Sequence, residues 1–435
     1  MSDTVENDVE QTLIAAANAA SQGNDDIQYL SKGSSKDEET ESSEVSNDCP
    51  IKKRKLTDDA TYSQEGNSHY NDENPIRKRK SSDTTYSEVV ATHYNLIKEK
   101  GLDERSKSSV VYLRNFHNWI KSMLINEYLT KVKDKKKHNA PIRVHDMCCG
   151  KGGDLQKWKM GGITHLICSD IASVSLDDCK SRYNNIKSRI WGRGSSNMFT
   201  IEYIVGDCTR MRVREKLSDP SMKLDIVSCQ FAFHYCFESL PQAECMLRNA
   251  AECLLPGGYF IGTMTDAYDL IARARKCNSN TYGNRLYTVT LDFDINKPAL
   301  FGEKCHFQLA DLVDCPEFLV HFPTFIKLAK KYGLKFVKKE KFYDFFERLK
   351  SEGQQLLCNL PALETYPPSG TSSLLSTDPD DYTHAKEFIE RQGEDNIRIG
   401  TLSKSEWEAS SIYTTFVFEK VKNTWNTDGT PIFDI

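Results

Sequence analysis

A chain of 435 residues, 39% of them hydrophobic, has material for one large domain with insertions or for two smaller ones. No apolar run approaches bilayer length, and the opening Met1-Ser2-Asp3-Thr4-Val5-Glu6 lacks the basic-then-apolar order of a signal peptide, which argues for a soluble intracellular protein. The net charge of -5 averages an acidic arm with basic clusters and selects no partner, while fourteen scattered cysteines without a CxxC pair read as reduced thiols rather than as bridges or zinc ligands.

Residues 1–84 are rich in Ser, Asp, Glu and Asn, which predicts a disordered arm ahead of one folded domain over 85–435. Within the arm Ile51-Lys52-Lys53-Arg54-Lys55 and Ile76-Arg77-Lys78-Arg79-Lys80 recur about 25 residues apart, each followed by Thr-Tyr-Ser and His-Tyr-Asn, so the segment looks duplicated. Nuclear import is the leading reading of these clusters; RNA phosphate contact and a solvated charge run are the alternatives.

From Ser106 to Leu129, Val110, Leu113, Phe116, Ile120, Leu124 and Tyr128 recur at helical spacing and predict a helix packed on the domain C-terminal to it. Strands and helices then alternate: strand 142–148, helix from 152, strand 164–171, helix 173–190, strands 199–206 and 224–230, helix 241–254, a Pro256-Gly257-Gly258 turn and strand 259–265. This alternation predicts an α/β fold with a mostly parallel sheet covered on both faces and ligands at the carboxyl ends of its strands. Segment 281–322, with strand-like Leu286 to Phe293, interrupts the pattern. A helix at 323–332 and the strands Leu334 to Lys339 and Ile412 to Val421 complete it, with a Pro/Ser-rich excursion at about 361–400 between those strands.

The run Val144-His145-Asp146-Met147-Cys148-Cys149-Gly150-Lys151-Gly152-Gly153-Asp154-Leu155 carries an apolar strand into a Gly-rich turn that opens a helix. Glycines there let the backbone approach a ligand, and a helix N-terminus offers N–H groups to an anion. The next strand ends in Asp170, at about the separation at which a carboxylate grips ribose hydroxyls.

Read with Ser228-Cys229-Gln230-Phe231-Ala232-Phe233-His234-Tyr235, Tyr112-Leu113-Arg114-Asn115-Phe116-His117-Asn118-Trp119, Leu247-Arg248-Asn249-Ala250, Pro316-Glu317-Phe318-Leu319-Val320 and Gly400-Thr401-Leu402-Ser403-Lys404-Ser405-Glu406-Trp407, the chain resembles the mRNA cap guanine-N7 methyltransferases over Tyr86 to Val421. The resemblance implies a Rossmann-like class I methyltransferase fold with a seven-stranded sheet, S-adenosylmethionine as donor, and the 5′ guanosine cap of nascent mRNA as acceptor. It further implies a nuclear, monomeric catalytic domain that meets an activating subunit and the transcription and capping machinery, with no metal and no membrane.

On the donor side it implies Lys121 at the methionine carboxylate, Cys148, Gly150, Gly152 and Gly153 in the backbone cradle, Asp170 on the ribose, Asp207 on the adenine amine, and Gln230 and Tyr235 near the methionine. On the cap side it implies His117, Asn118, His234, Tyr235, Glu317 and Tyr413, with Phe307 as a further aromatic face and Lys151 and Arg182 toward the triphosphate. His234, Tyr235 and Glu317 would form the catalytic centre. Cys148 replaces the usual first glycine of the loop, its small side chain expected to turn away from the ligand, and His117 replaces an Asn.

The chemistry fits. Guanine N7 bears an in-plane lone pair and no proton, so its methylation needs positioning rather than a general base. A carboxylate such as Glu317 can accept from both N1–H and the N2 amine of guanine, a donor pair that adenine lacks. The rival readings are a methyltransferase on another RNA base or a small molecule, and a catalytically silent cap-binding scaffold.

Overall fold

The computed structural model describes residues 27–29, 85–97, 107–191, 198–310, 313–370, 372–393 and 397–426. Apart from the backbone of 27–29, a short strand, the arm and its basic clusters lie outside these. Among the described residues no helix is long and apolar enough to cross a membrane.

Two helices lead into the sheet. The first, α1 (Tyr86–Leu96), precedes the long α2 (Val111–Lys135), in which Leu113, Phe116, Ile120, Leu124 and Tyr128 are buried along one face, as their spacing predicts. Lys133 and Lys135 in its last turn complement the helix dipole. The strands in chain order are β1 (Ile27–Tyr29), β2 (Arg143–Met147), β3 (His165–Asp170), β4 (Thr200–Val205), β5 (Leu224–Gln230), β6 (Leu254–Thr265), β7 (Thr281–Gly283), β8 (Tyr287–Leu291), β9 (Lys304–Leu309), β10 (Val313–Phe318), β11 (Leu334–Lys341), β12 (Glu364–Tyr366), β13 (Arg398–Thr401) and β14 (Tyr413–Lys420). Helices α3 (Leu155–Met160) and α4 (Ser173–Trp191) connect β2 to β3 and β3 to β4.

The main sheet has seven strands in the order β11-β14-β6-β5-β2-β3-β4. Neighbours from β6 to β4 are parallel, and β14 runs antiparallel between β6 and β11. Strand β5 is buried along its whole length, as a central strand covered on both faces must be. Ile226 joins the core on the α2 side, with Trp158 and Leu124, while Val227 joins Phe233, Phe325 and Phe416 on the other, the two-residue period of a strand. Because the chain passes from β2 outward to β3 and β4 and then returns to β5 and β6 on the other side, a crevice opens past the carboxyl ends of β2 and β5.

Three departures from the sequence reading have physical causes. Pro256-Gly257-Gly258 is not a turn before a strand but lies inside β6, where the pairing with β5 shifts register. Any Cβ at Gly258 would stand 2.7 Å from the Asp225 carbonyl oxygen, so only glycine permits that approach. Segment 281–322 is a second, antiparallel sheet in the order β10-β9-β8-β7, of which only β8 was legible: the alternation of Cys305, Phe307 and Leu309 in β9 was passed over, and Pro316 masks β10, tolerated there because β10 is an edge strand. The excursion at 361–400 is not structureless: it carries β12, the helix Thr383–Gln392 and most of β13, and β13 pairs with β12 and in parallel with β1.

Candidate active site

Past the carboxyl ends of β2, β3 and β5 lies a cavity of about 270 Å³ lined by Cys148, Cys149, Gly150, Gly153, Asp170, Gln230 and Tyr235, with Val90 and Tyr94 of α1 on its wall. The Asp170 carboxylate pins two loops: Oδ2 accepts the Gly150 N–H at 2.8 Å and Oδ1 accepts the Ala172 N–H at 2.8 Å. Burial pushes its pKa up, and those N–H groups pull it back toward the charged form. Gly150 has φ +52° and open space where a Cβ would point, so the cavity meets bare backbone there. Gly152 serves the turn instead of the cavity, since a Cβ there would stand 2.7 Å from Cys179 Sγ and from Leu155. Cys148 borders the cavity from a left-handed backbone at φ 55°, and its thiol interacts with those of buried Cys208 and Cys229.

Lys121 projects from α2 onto the same wall. Its Nζ lies 2.8 Å from Asp154 Oδ1, and Lys157 Nζ lies at 2.8 Å from the same oxygen. Although burial opposes ionisation, the two lysines hold the Asp154 carboxyl well below the usual range. Burial and the neighbouring Asp154 push Asp146 up, and Trp158 Nε1 donates to it at 3.1 Å. Lys121 thus borders both cavities, held by a carboxylate with which an incoming anion would share it. Gln230 is fixed by donating to Ser228 Oγ at 3.0 Å and accepting from Thr263 Oγ1 at 3.1 Å.

A smaller extension of about 50 Å³ reaches Asp207, with Gly206, Thr209, Cys148 and Tyr235 around it. Asp207 Oδ2 accepts from Ser87 Oγ of α1 at 2.7 Å, and Oδ1 accepts from the Thr209 N–H at 2.8 Å and its hydroxyl at 2.7 Å.

A second cavity, about 220 Å³, is lined by Arg114, His117, Asn118, His234, Leu309, Val313, Glu317 and Tyr413, and shares Tyr94, Lys121 and Phe231 with the first. His234 and Tyr235 therefore separate, His234 facing the second cavity and Tyr235 only the first and its extension. Glu317 reaches in from β10 and is 5% exposed. Its Oε1 lies 3.3 Å from His234 Nε2, an ion-pair distance without the alignment of a hydrogen bond. Glu317 Oε2 and both ring nitrogens of His234 are buried without a hydrogen-bond partner among the described residues. Unmet buried polar atoms of this kind are costly, and a polar ligand in the cavity removes the cost.

The second cavity also has an aromatic wall. His117 stacks on Phe231 at 5.4 Å and meets Tyr413 edge-on at 5.1 Å, and its Nε2 lies 3.3 Å from Ser410 Oγ. Burial and Lys121 push the His117 pKa down to about 3, so the ring is neutral. Phe307 is not a cavity face: it is 1% exposed and packs edge-on behind Tyr413 at 6.2 Å. Lys151 and Arg182 do not line either cavity. Lys151 instead pairs with Asp178 at 2.8 Å and donates to the Ile97 carbonyl at 2.7 Å.

The sequence reading missed Tyr94 and Phe231. Tyr94 belongs to the second copy of the His-Tyr-Asn repeat, which was placed at the start of the folded domain with no helix and no site role assigned to it. Phe231 looked like one more core aromatic, yet it sits at φ 57° between the cavities, and a bulky side chain held in that backbone region is a mark of functional sites.

The mRNA (guanine-N(7))-methyltransferase domain family matches residues 77–421. The chain is 48% identical over 357 residues to an mRNA cap guanine-N(7) methyltransferase of Drosophila melanogaster, covering 81% of this chain and 82% of that protein. It is 36% identical over 343 residues to the protein of the same name from Caenorhabditis elegans, covering 78% and 88%, and 32% identical over 340 residues to that of Schizosaccharomyces pombe, covering 77% and 82%. With this match running from α1 through the last strand of a class I methyltransferase sheet, the chain belongs to the mRNA cap guanine-N7 methyltransferase family.

Proposed function

We propose that the first cavity takes S-adenosylmethionine and the second takes the 5′ guanosine cap, so that the chain methylates N7 of GpppN-ended RNA. The observation that carries this reading is the buried, unpartnered Glu317 Oε2 beside His234, facing a cavity that adjoins the first through Tyr94, Lys121 and Phe231. When bound, S-adenosylmethionine supplies an electrophilic methyl group on a sulfonium. Asp170 would accept from its ribose, Asp207 from its adenine amine, and Lys121 would meet its carboxylate in exchange for part of its contact with Asp154.

On the acceptor side, Glu317 would take the N1 and N2 hydrogens of guanine, leaving N7 unhindered, while Tyr413, His117 and Phe231 keep water out. The charge of Glu317 also favours the positive charge that develops on the ring. N7 has no proton to lose, so the residues hold and orient rather than exchange protons, and the reading calls for neither a general base nor a metal.

Transfer of labelled methyl from S-adenosylmethionine to GpppG-ended RNA, with ApppG-ended RNA as control, tests it. Label at N7 of the cap guanosine alone is expected. Label on internal bases, or equal transfer to both RNAs, would overturn it. We also propose that the basic clusters of the arm direct the chain to the nucleus, where the acceptor is made; a chain lacking residues 1–80 that enters nuclei as well as the full-length protein would remove that role.

A further inference from the structure

Cys149 is half-buried on the wall of the first cavity, and its Sγ stands in a group with those of buried Cys168 and Cys179, all within 4.8 Å of one another. The three sulfurs come from the loop after β2, from β3 and from α4, and the methyl transfer uses none of them. We propose that this trio is an oxidation site governing the donor cavity: hydrogen peroxide entering the cavity joins Cys149 to one of its two buried neighbours as a disulfide, which closes the cavity to the donor. The second half of the proposal rests on the donor reading of that cavity; the first half does not.

The chemistry is self-contained. Hydrogen bonds with Cys168 and Cys179 and burial push the Cys149 thiol up, and it is the one of the three that lines the cavity, so it meets the peroxide as a thiol. Its sulfur attacks a peroxide oxygen: an S–O bond forms, the O–O bond breaks, and the departing hydroxide takes the Cys149 proton as water, leaving a sulfenic acid. Hydrogen bonds from Cys149 and Cys168 pull the Cys179 thiol down, so it is the sulfur that gives up its proton most readily. Cys179, or Cys168, then attacks the Cys149 sulfur: an S–S bond forms, the S–O bond breaks, and the departing hydroxide combines with the proton released by the attacking thiol as a second water. Two thiols lose two electrons and one peroxide becomes two waters.

Three sulfurs also suit a soft cation. Three thiolates around a monovalent ion would bury net negative charge, whereas a disulfide is neutral, which favours oxidation. Forming an S–S bond of about 2.05 Å draws the loop inward, and that loop carries Gly150, bonded to Asp170.

The full chain, treated with peroxide, alkylated, digested and mapped by mass spectrometry, is expected to yield peptides crosslinked Cys149–Cys168 or Cys149–Cys179. Dithiothreitol should reverse them and saturating S-adenosylmethionine should prevent them. Calorimetry should show a donor affinity at least about tenfold lower, with cap-dinucleotide affinity kept within about twofold. The double variant Cys168→Ser/Cys179→Ser should keep donor binding through the same treatment, and the parent map stands if that variant does not fold. All three thiols alkylated after activity is lost, crosslinks from Cys148 to Cys208 or Cys229 instead, or zinc held by the three sulfurs would overturn the site. A crosslink that leaves donor affinity unchanged would overturn its control of the cavity. Reduced chain that binds no S-adenosylmethionine at all would sink the donor reading, and the crosslink map alone would then decide the thiol site.

Discussion

Tyr94 of α1 and Tyr235, in the turn after β5, bring their hydroxyl oxygens to 3.1 Å, and the Tyr235 hydroxyl also lies 3.2 Å from the Cys315 sulfur of β10. Burial pushes both phenols up, so each remains a neutral hydroxyl. A helix ahead of the sheet, a loop of the main sheet and a strand of the second sheet thus meet at one oxygen, on the wall of the first cavity. Tyr94→Phe keeps the ring and removes the contact. A lost hydrogen bond of this type is worth about 0.5–1.5 kcal/mol, so donor affinity is expected to fall by about two- to tenfold. Calorimetry that finds no change would mean α1 does not hold the donor wall.

Glu317→Gln tests the guanine contact. The amide retains one acceptor but turns an NH₂ group toward a guanine donor, and a mismatch in a partly dry pocket costs about 1–3 kcal/mol. Because the charge that aids the ring in the transition state is also lost, single-turnover rate at saturating cap should fall while donor affinity stays nearly unchanged. A variant with the parental rate that still rejects ApppG-RNA would remove Glu317 as the reader of the base.

Cys148→Gly tests the left-handed backbone of the donor loop. An L residue in that region costs about 1–2 kcal/mol, against which glycine adds unfolded-state freedom of about 1 kcal/mol. Stability within about 1 kcal/mol of the parent is expected, with donor affinity equal or better. A tenfold weaker complex would show that the Cys148 side chain itself contributes to the cavity wall.

Stability should decline in acid through two histidines. Burial depresses His117 and His145 to about 3 each. With folded values below the unfolded 6.5 or so, their contribution is present above pH 6.5 and is lost as pH falls toward 3. His145 also meets Ser169 Oγ at 2.8 Å, a contact that the amide of His145→Gln can replace. Between pH 7 and pH 5 the parent should lose about 2 kcal/mol more than that variant. Parallel loss in urea titrations at the two pH values would mean that His145 is not the buried neutral group described.

The main sheet was legible because its signals are local. A short run entering the Gly-rich turn places β2, the run Leu224-Asp225-Ile226-Val227 places β5, and the acid closing β3 marks the crevice. β9 was passed over although Cys305, Phe307 and Leu309 alternate with polar residues, and Pro316 argues against a strand in β10; β9 pairs with β8 and β10 with β9, and Phe307 packs against Tyr413, far away in sequence. Glu317 was found only through the motif around it, for nothing in Pro316-Glu317-Phe318 states that one carboxylate oxygen will be buried without a partner. Tyr94 was missed because it lies ahead of the motif blocks, on a helix that the sequence reading did not assign. The separation of His234 from Tyr235 depends on a short 3-10 turn that sends adjacent side chains into different cavities.

The first cavity opens past the ends of the parallel strands, whereas Glu317 enters the second on β10, at the edge of the antiparallel sheet. Edits to the β9–β10 hairpin therefore leave Asp170 and the glycine loop as they are. On the proposed reading, redrawing this one hairpin changes which base is accepted, provided Cys315, which meets the Tyr235 hydroxyl, is kept, and a library over 304–318 that spares Cys315 is where an altered acceptor preference should be sought.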